Sequence, residues 1–376
     1  MCNNRLMTYN WQKNDWPDFR YDLTTIQDQL DQFEQRASLT SGQFNALNER
    51  TRHEAIINMM VTEAVKTSAI EGEYISRADV MSSIRNQLGM NIEPQQVKDQ
   101  RAKGVARLML TVRNTFEDNL DEASLFSCHR MLLETNTRIT IGAWRTHAEP
   151  MQVISGAHYG EPTIHFEAPP SSRVPAEMNR FVQWFNSCAP KQTNAIASPL
   201  LRSAIAHLYF ESIHPFEDGN GRLGRAISEK ALAQGFGHPI LLSLSNAIEA
   251  NKKAYYSALE QAQKSNEITQ WISYFASMAL EAQQDAEALI DFIIKKAAFF
   301  DQYQQHLDAH HLKVINRMLQ EGPKGFEGGM SAKKYSAITG VSKATATRHL
   351  QYLMGIKALK QEGQGRGTRY HLNLSS

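Results

Sequence analysis

Apolar residues recur three and four positions apart along most of the chain, and each such run is read as the buried face of a helix. Leu23, Ile26, Leu30 and Phe33 give the first face, after an aromatic cluster of Trp11, Trp16, Phe19 and Tyr21 dense enough to pack onto a neighbouring domain. A second helix is expected over roughly Glu54 to Ile70, with Gly72 as its stop. Val80, Ile84 and Leu88, then Val105, Leu108, Met109 and Val112, then Leu125, His129, Leu132 and Leu133 continue the pattern to about Thr140. His129, on such a face, reads as a packed, hydrogen-bonded core residue. Gly142-Ala143-Trp144-Arg145 breaks the helical run.

The period then changes. Gln152 to Ser155 and Thr163 to Phe166 are short β-prone runs around a Gly- and Pro-containing connection, which predicts a hairpin closed by Pro169-Pro170. Helices resume near Pro175, with Met178, Phe181, Trp184 and Phe185 spaced for burial, and continue from Ser198 to Ile213 and from Leu223 to Gln234. After a helical stretch from Glu281 to about His311, Leu312 to Leu319, Ser331 to Ile338 and Ser342 to Met354 read as three further helices, with Ser342 an N-cap. Ala358 to Gln361 and Thr368 to Leu372 are β-prone and flank a Gly-rich tip.

Composition changes this picture little. The 376 residues, 42% hydrophobic, can bury a sizeable core in two or three domains, and a formal net charge of +1 gives no global pull toward nucleic acid or a membrane. Cys2, Cys128 and Cys188 have neither disulfide nor metal-ligand spacing. With no apolar leader core near Asn3-Asn4-Arg5 and no long apolar run, a cytoplasmic protein with no membrane span is expected.

The chemistry concentrates in His214-Pro215-Phe216-Glu217-Asp218-Gly219-Asn220-Gly221-Arg222-Leu223-Gly224-Arg225. A Gly-rich loop feeding a helix N-terminus binds anions through backbone N–H groups and the helix dipole. Arg222 and Arg225, three apart on that helix, add two planar cationic forks. Asp218 is a hard oxygen ligand suited to Mg2+, and His214 is the one side chain there whose unperturbed pKa lies near neutrality. A His before Pro and an Asp-Gly-Asn-Gly turn each have an ordinary structural reading; their conjunction with two arginines points to phosphate chemistry.

This stretch closely resembles the Fic signature, His-Pro-Phe-x-Asp/Glu-Gly-Asn-Gly-Arg-x-x-Arg, with every defining position filled. The resemblance implies a mainly α fold: a Fic-type helical core with a β-hairpin flap, an N-terminal helical extension and a C-terminal domain. It further implies a protein adenylyltransferase that moves AMP from ATP onto a protein hydroxyl and releases pyrophosphate. By the same resemblance His214 is the base and Asp218 the magnesium ligand. Gly219, Asn220 and Gly221 form the anion hole, Arg222 and Arg225 hold distal phosphates, and Phe216 anchors the loop. Nucleotide contacts are also expected from Glu217, Leu223, Gly224, the flap residues Ser155, Gly156, Ala157 and His158, and Tyr256 and Gln263. Gln263 departs from the Asn that some relatives carry.

Upstream, Thr67-Ser68-Ala69-Ile70-Glu71-Gly72 resembles the Ser/Thr-x-x-x-Glu-Gly/Asn inhibitory motif of Fic proteins. Read so, Thr67, Glu71 and Gly72 close the preceding helix, and Glu71 pairs with Arg225, drawing its guanidinium away from the γ-phosphate. A target segment is expected to dock on the flap, about 152–166, by strand addition. Self-modification and a homodimer are further expectations from the family.

The C-terminal segment resembles a winged helix-turn-helix domain, with Lys343, Thr345, Thr347, Arg348 and the tip residue Arg366 facing DNA within 331–372. The expected division is 1–110 for the N-terminal helical region, with the inhibitory helix at about 54–72, then 111–280 for the catalytic core, 281–311 for a connector and 312–376 for the winged domain. A DNA-binding regulator whose core only senses a nucleotide is one competing reading. An ATP-dependent protein phosphotransferase is the other; Gly221 stands against it, since phosphorylating relatives typically have Lys there.

Overall fold

The structure is a computed structural model that describes residues 8–90, 93–134, 136, 138–156 and 163–374. Helices dominate them. In chain order they are α1 (Gln27–Asn45), α2 (Glu49–Ile70), α3 (Arg77–Gln87), α4 (Gln100–Asn114) and α5 (Glu122–Leu133), then a hairpin of β1 (Gln152–Ser155) and β2 (Thr163–Glu167). There follow α6 (Val174–Ser187), α7 (Pro199–Ile213), α8 (Asn220–Phe236), α9 (Leu244–Ala250), α10 (Lys252–Ala262) and α11 (Thr269–Tyr303). The last elements are α12 (Ala309–Leu319), α13 (Ala332–Thr339), α14 (Lys343–Gly355), β3 (Leu359–Glu362) and β4 (Arg369–Leu372). The fold is mainly α, as the periodicity predicts. No helix among the described residues is long and apolar enough to cross a membrane.

The chain divides into two compact units, Met1–Gln43 with Ile56–Gln284, and Phe44–Ala55 with Asp285–Ser376. The first is built around α7, whose every residue is buried. A helix of small and apolar residues on all sides, begun by the Ser198 cap and Pro199 at its first position, has no solvent face to form. Its one buried cation, Arg202, stacks on Phe185 at 4.3 Å and donates to the Phe185 carbonyl at 2.8 Å. Helix α8 packs along α7 so closely that a Cβ on Gly224 would sit 2.3 Å from Glu211 Oε1, so any larger residue there must displace that buried side chain. The N-terminal aromatics pack inward: Trp16 is buried against Tyr209, and the Trp11 indole donates to the Glu167 carbonyl at 2.7 Å.

The predicted hairpin forms, antiparallel, pairing Gln152 with Glu167 and Ser155 with Thr163, with a bulge between Val153 and Ile154. Phe166 is buried, whereas Ile154 and Ile164 are exposed.

In the second unit α12, α13 and α14 surround Val314, Ile315, Met318, Tyr335, Leu350 and Leu353, all buried. Ser331 and Ser342 cap α13 and α14, and Gly340, in the left-handed region, ends α13. β3 and β4 pair from Leu359–Leu372 to Glu362–Arg369.

Some expectations shift. Leu23 is exposed because it lies in a 3-10 turn before α1, and Leu88 is exposed because it caps α3. Helix α2 starts at Glu49, ahead of Glu54, since the Asn48 side chain accepts from the Thr51 N–H. The boundary expected at 110/111 falls inside α4 and that at 280/281 inside α11, so neither coincides with a break in helix. The 281–311 stretch expected as a connector is helical to Tyr303, and its Phe292, Ile293, Phe299 and Tyr303 are core residues of the second unit.

Candidate active site

The Gly-Asn-Gly loop is tighter than the sequence suggests, because α8 begins at Asn220. His214 closes α7 in the left-handed conformation, φ 49°, its N–H bonded to the Phe210 carbonyl at 3.0 Å. A non-glycine residue holds such a conformation only where its surroundings over-determine it. Here Arg145 does so. Fully buried, it donates from Nε to the His214 carbonyl (2.8 Å), from Nη2 to the carbonyls of Pro169 (2.5 Å) and Ile213 (3.3 Å), and from Nη1 to Ser171 Oγ (2.9 Å).

Two further groups fix the turn. Asn220 is buried and bridges the Phe216 backbone in both directions, accepting from its N–H at 2.9 Å and donating to its carbonyl at 2.8 Å. Its side chain is therefore a loop pin, and what it offers an anion is its backbone N–H. Phe216 is buried in a stack on His129, ring centroids 4.0 Å apart. His129 Nδ1 accepts from the Gly142 N–H, so Nε2 carries the proton donated to the Asp218 carbonyl at 3.1 Å. His129 is thus the packed core residue its position predicts. Leu223 donates back to the Gly219 carbonyl, so the N–H groups of Asn220, Gly221 and Arg222 occupy the first turn of α8, where no intrahelical acceptor exists.

The loop faces a cavity of about 880 Å³ whose lining includes Glu71, Ser155, Glu211, His214, Asp218, Gly219, Gly221, Arg225, Tyr256 and Gln263. Arg225 is buried and donates from Nη2 to Glu71 Oε1 (2.7 Å) and the Thr67 carbonyl (3.0 Å), and from Nε to Thr67 Oγ1 (2.7 Å). Burial alone would raise the Glu71 pKa; Arg225, helped by Arg222 and Lys252, outweighs it and holds the carboxyl below the usual range. Gly72, φ 79°, turns the chain just past α2. A Cβ on Gly221 would lie 2.3 Å from Glu71 Oε1, so the carboxylate rests directly on the loop backbone.

Arg222 is equally buried, but pairs with Glu73 at 2.8 Å and stands 3.8 Å from Asp218 Oδ1. The half-exposed Asp218 carboxylate also accepts from the Gly219 N–H at 2.6 Å. Burial, reinforced by Arg145, pushes His214 down to about 4, so its ring is neutral near pH 7 with a nitrogen lone pair available. Glu217 lies aside, accepting from the Thr140 N–H at 3.4 Å.

Ser155 bonds His165 across the hairpin, and Gly156 follows in the left-handed region; Ala157 and His158 lie outside the described residues. Gln263 is buried and donates to the Glu211 carbonyl at 3.2 Å. Tyr255 is buried against His207, whereas Tyr256 keeps a partly exposed ring facing the cavity.

Sequence reasoning missed Glu211 and Lys252. Glu211 is buried 3.7 Å from His214 Nδ1, its Oε1 unpartnered, and burial raises its pKa to about 8. Its place three residues before His214 was the available signal. Lys252 caps α2 through the Ile70 carbonyl, a contact between distant segments with no local signal, and lies 5.7 Å from the Tyr256 ring one turn along α10.

In the second unit Lys343 and Arg348 are exposed on α14, while Thr345 and Thr347 are half-buried and spend their hydroxyls on Ser342 and the Lys343 carbonyl. The Arg366 side chain lies outside the described residues.

Comparison with known proteins places these features. Residues 9–90 match a family model described as a domain of unknown function (DUF4172), and residues 119–232 match that of the Fic/DOC family. The chain is 24% identical over 215 residues to a probable protein adenylyltransferase of Aquifex aeolicus, covering 53% of this chain and 55% of that protein. It is 23% identical over 201 residues to protein adenylyltransferase fic-1 of Caenorhabditis elegans, covering 52% and 35%. It thus spans about half, or less, of the length of these curated relatives. A Fic family protein from Desulfovibrio desulfuricans shares its fold with TM-score 0.54 at 21% identity, covering 96% of this chain and 99% of that one. A Fic domain containing signaling protein from Bacteroides thetaiotaomicron does so with TM-score 0.52 at 19% identity, covering 69% and 95%. The signature loop and the hairpin both lie inside residues 119–232, the stretch that matches the Fic/DOC family model, and the fold is that of the Fic family protein from Desulfovibrio desulfuricans.

Proposed function

We propose that the first unit is an autoinhibited protein adenylyltransferase that transfers AMP from ATP to a protein hydroxyl. The observation that carries this reading is the convergence of a neutral His214, the α8 N-terminus and a buried Arg225 on one cavity, with Glu71 seated on Arg225. Relatives named protein adenylyltransferase support the reaction class.

The target hydroxyl loses its proton to His214 as its oxygen bonds to the α-phosphorus of ATP; the bond from that phosphorus to the β-phosphate oxygen breaks, and pyrophosphate leaves. The unpaired N–H groups of the first α8 turn and the dipole behind them hold phosphate charge, so positioning and neutralisation carry most of the rate. Asp218, a half-exposed hard oxygen donor on this cavity, fits a magnesium ion, which when bound neutralises phosphate charge. Arg225 is suited to the terminal phosphate once Glu71 releases it. Arg222, paired with Glu73, must exchange that partner to do the same.

The exposed Ile154 and Ile164 on the hairpin suit a target strand added at its edge. The helix order of the second unit supports a winged helix-turn-helix, with Lys343 and Arg348 as phosphate contacts. Mobility shift that weakens steeply between low and high salt, and with Arg348→Ala, tests that part.

The reaction is tested by intact-mass analysis of Glu71→Gly protein incubated with ATP and Mg2+, with and without His214→Ala. The expected product is an added AMP that His214→Ala abolishes. An added phosphate would indicate the phosphotransferase, and no adduct on self or on candidate targets would remove the transferase reading.

A further inference from the structure

The second unit brings together three side chains that the transfer chemistry does not use. Asp308, before α12, His311 in its first turn and His349 on α14 each offer a donor atom, and the three atoms lie within 4.8 Å of one another. Asp308 Oδ1 caps α12 by accepting from the His311 N–H at 2.8 Å, and stands 3.3 Å from His311 Nδ1. His311 is buried, and its Nε2 has no hydrogen-bond partner. A buried imidazole nitrogen left unpaired is costly and calls for an occupant.

The rings are held in place. His311 stacks on Tyr352, interplanar angle 17°, and meets the edge of His349 at 4.7 Å between centroids. His349 Nδ1 is bonded at 2.9 Å to the hydroxyl of Tyr335, itself fully buried. His349 is tied through Nδ1 to Tyr335, and His311 Nδ1 accepts from the Asp308 N–H at 3.3 Å, so the neutral His311 ring carries its proton on the unpaired Nε2 and a metal bound there would displace it to Nδ1, toward Asp308 Oδ1. Polar partners on the second ring nitrogen orient the rings of metal-binding histidines. The Asp308 side chain, 52% exposed, supplies an anionic oxygen at the solvent side.

We propose that Asp308, His311 and His349 bind a divalent transition-metal ion of the zinc class, with water completing four-coordination, and so tie the start of α12 to α14. Two imidazoles and one carboxylate suit zinc, cobalt or nickel rather than magnesium or calcium, which take oxygen ligands. Occupancy would brace α14, the helix that carries Lys343 and Arg348. The site is independent of adenylyl transfer, and the two readings fail separately.

The test uses the full chain, stripped with chelator and titrated with Co2+ while visible absorption is recorded. One Co2+ per chain is expected, with the strong bands of a four-coordinate ion that Zn2+ displaces, and Zn2+ should raise the melting temperature. Asp308→Asn, which can still cap α12, should weaken binding about 10- to 100-fold. His349→Ala should abolish both the spectrum and the zinc-dependent stabilisation; circular dichroism shows that each variant is folded. No cobalt spectrum, or one that survives both substitutions, overturns the proposal; so does a spectrum lost only with Asp218→Asn, which would locate the ion in the other unit.

Discussion

Replacing Glu71 by Gly gives the sharpest prediction. The pair joins a buried guanidinium to a carboxylate whose side chain is 29% exposed, at 2.7 Å, with Thr67 holding the same arginine twice more. Removing one member of a buried pair costs on the order of 3 kcal/mol; the partial exposure of Glu71 makes about 2 kcal/mol a better figure. If that energy holds Arg225 away from the terminal phosphate, its release corresponds to about 30-fold in rate at 1.36 kcal/mol per factor of ten. The carboxylate also lies on the loop backbone at Gly221, so its removal frees space and negative potential where phosphate would bind, which adds to that factor. The assay is initial-rate AMP incorporation across a range of ATP concentrations for parent, Glu71→Gln and Glu71→Gly. Activity should rise in that order, because Gln keeps the bulk and loses the charge. A folded Glu71→Gly protein no faster than the parent at every ATP concentration refutes the inhibitory reading. The freed Arg225 remains buried without a carboxylate partner, so the same variant should melt lower.

Other perturbations follow from the same geometry. Because His214 is held near 4, the rate should stay level on the acid side from pH 8 down to about 5.5; a decline centred near the ordinary imidazole value of 6.5 would contradict its burial. Glu211 has a folded value of about 8 against an ordinary 4.5, so the folded state holds its proton more tightly and stability falls as pH rises between those values. Glu211→Gln should therefore gain over the parent with rising pH, by about 2 kcal/mol between pH 6.5 and 8 out of a full span on the order of 5 kcal/mol. The comparison is made by chemical denaturation above pH 6.5, because the depressed values of His207 and His214 act in the opposite sense below it. Gly224→Ala places a Cβ 2.3 Å from Glu211 Oε1 and should cost about 1–3 kcal/mol, read as a lower melting temperature. Arg145→Met leaves the carbonyls of His214 and Pro169 without their donor and should lower both stability and rate.

The elements were legible where periodicity was strong. Helices α4, α5 and α6 bury the residues that the three-four spacing marks, except Trp184, which is only partly buried, and the hairpin follows from the change of period at Gln152. The loop from His214 to Arg225 was legible as an anion cradle because its residue types occur in one run. The fate of each side chain was not. Asn220 turns inward because the Phe216 backbone needs both partners, and Arg222 is taken by Glu73, a residue distant in sequence. The ends of α1, α2 and α3 were displaced because a short polar cap such as Asn48, or a 3-10 turn such as Leu23–Thr25, decides where a helix begins after the apolar stripe has been counted.

The complete enclosure of α7 governs which parts of this unit are able to move. Its amides have no solvent side, so they exchange with deuterium only when the whole unit opens, and the histidine at its end inherits that permanence. The chain just after α2 is held differently, by the partly exposed Glu71 and Glu73 carboxylates on Arg225 and Arg222, contacts that a competing charge can exchange without unfolding the unit. A partner that controls this site should grip that tail and leave the base where it stands.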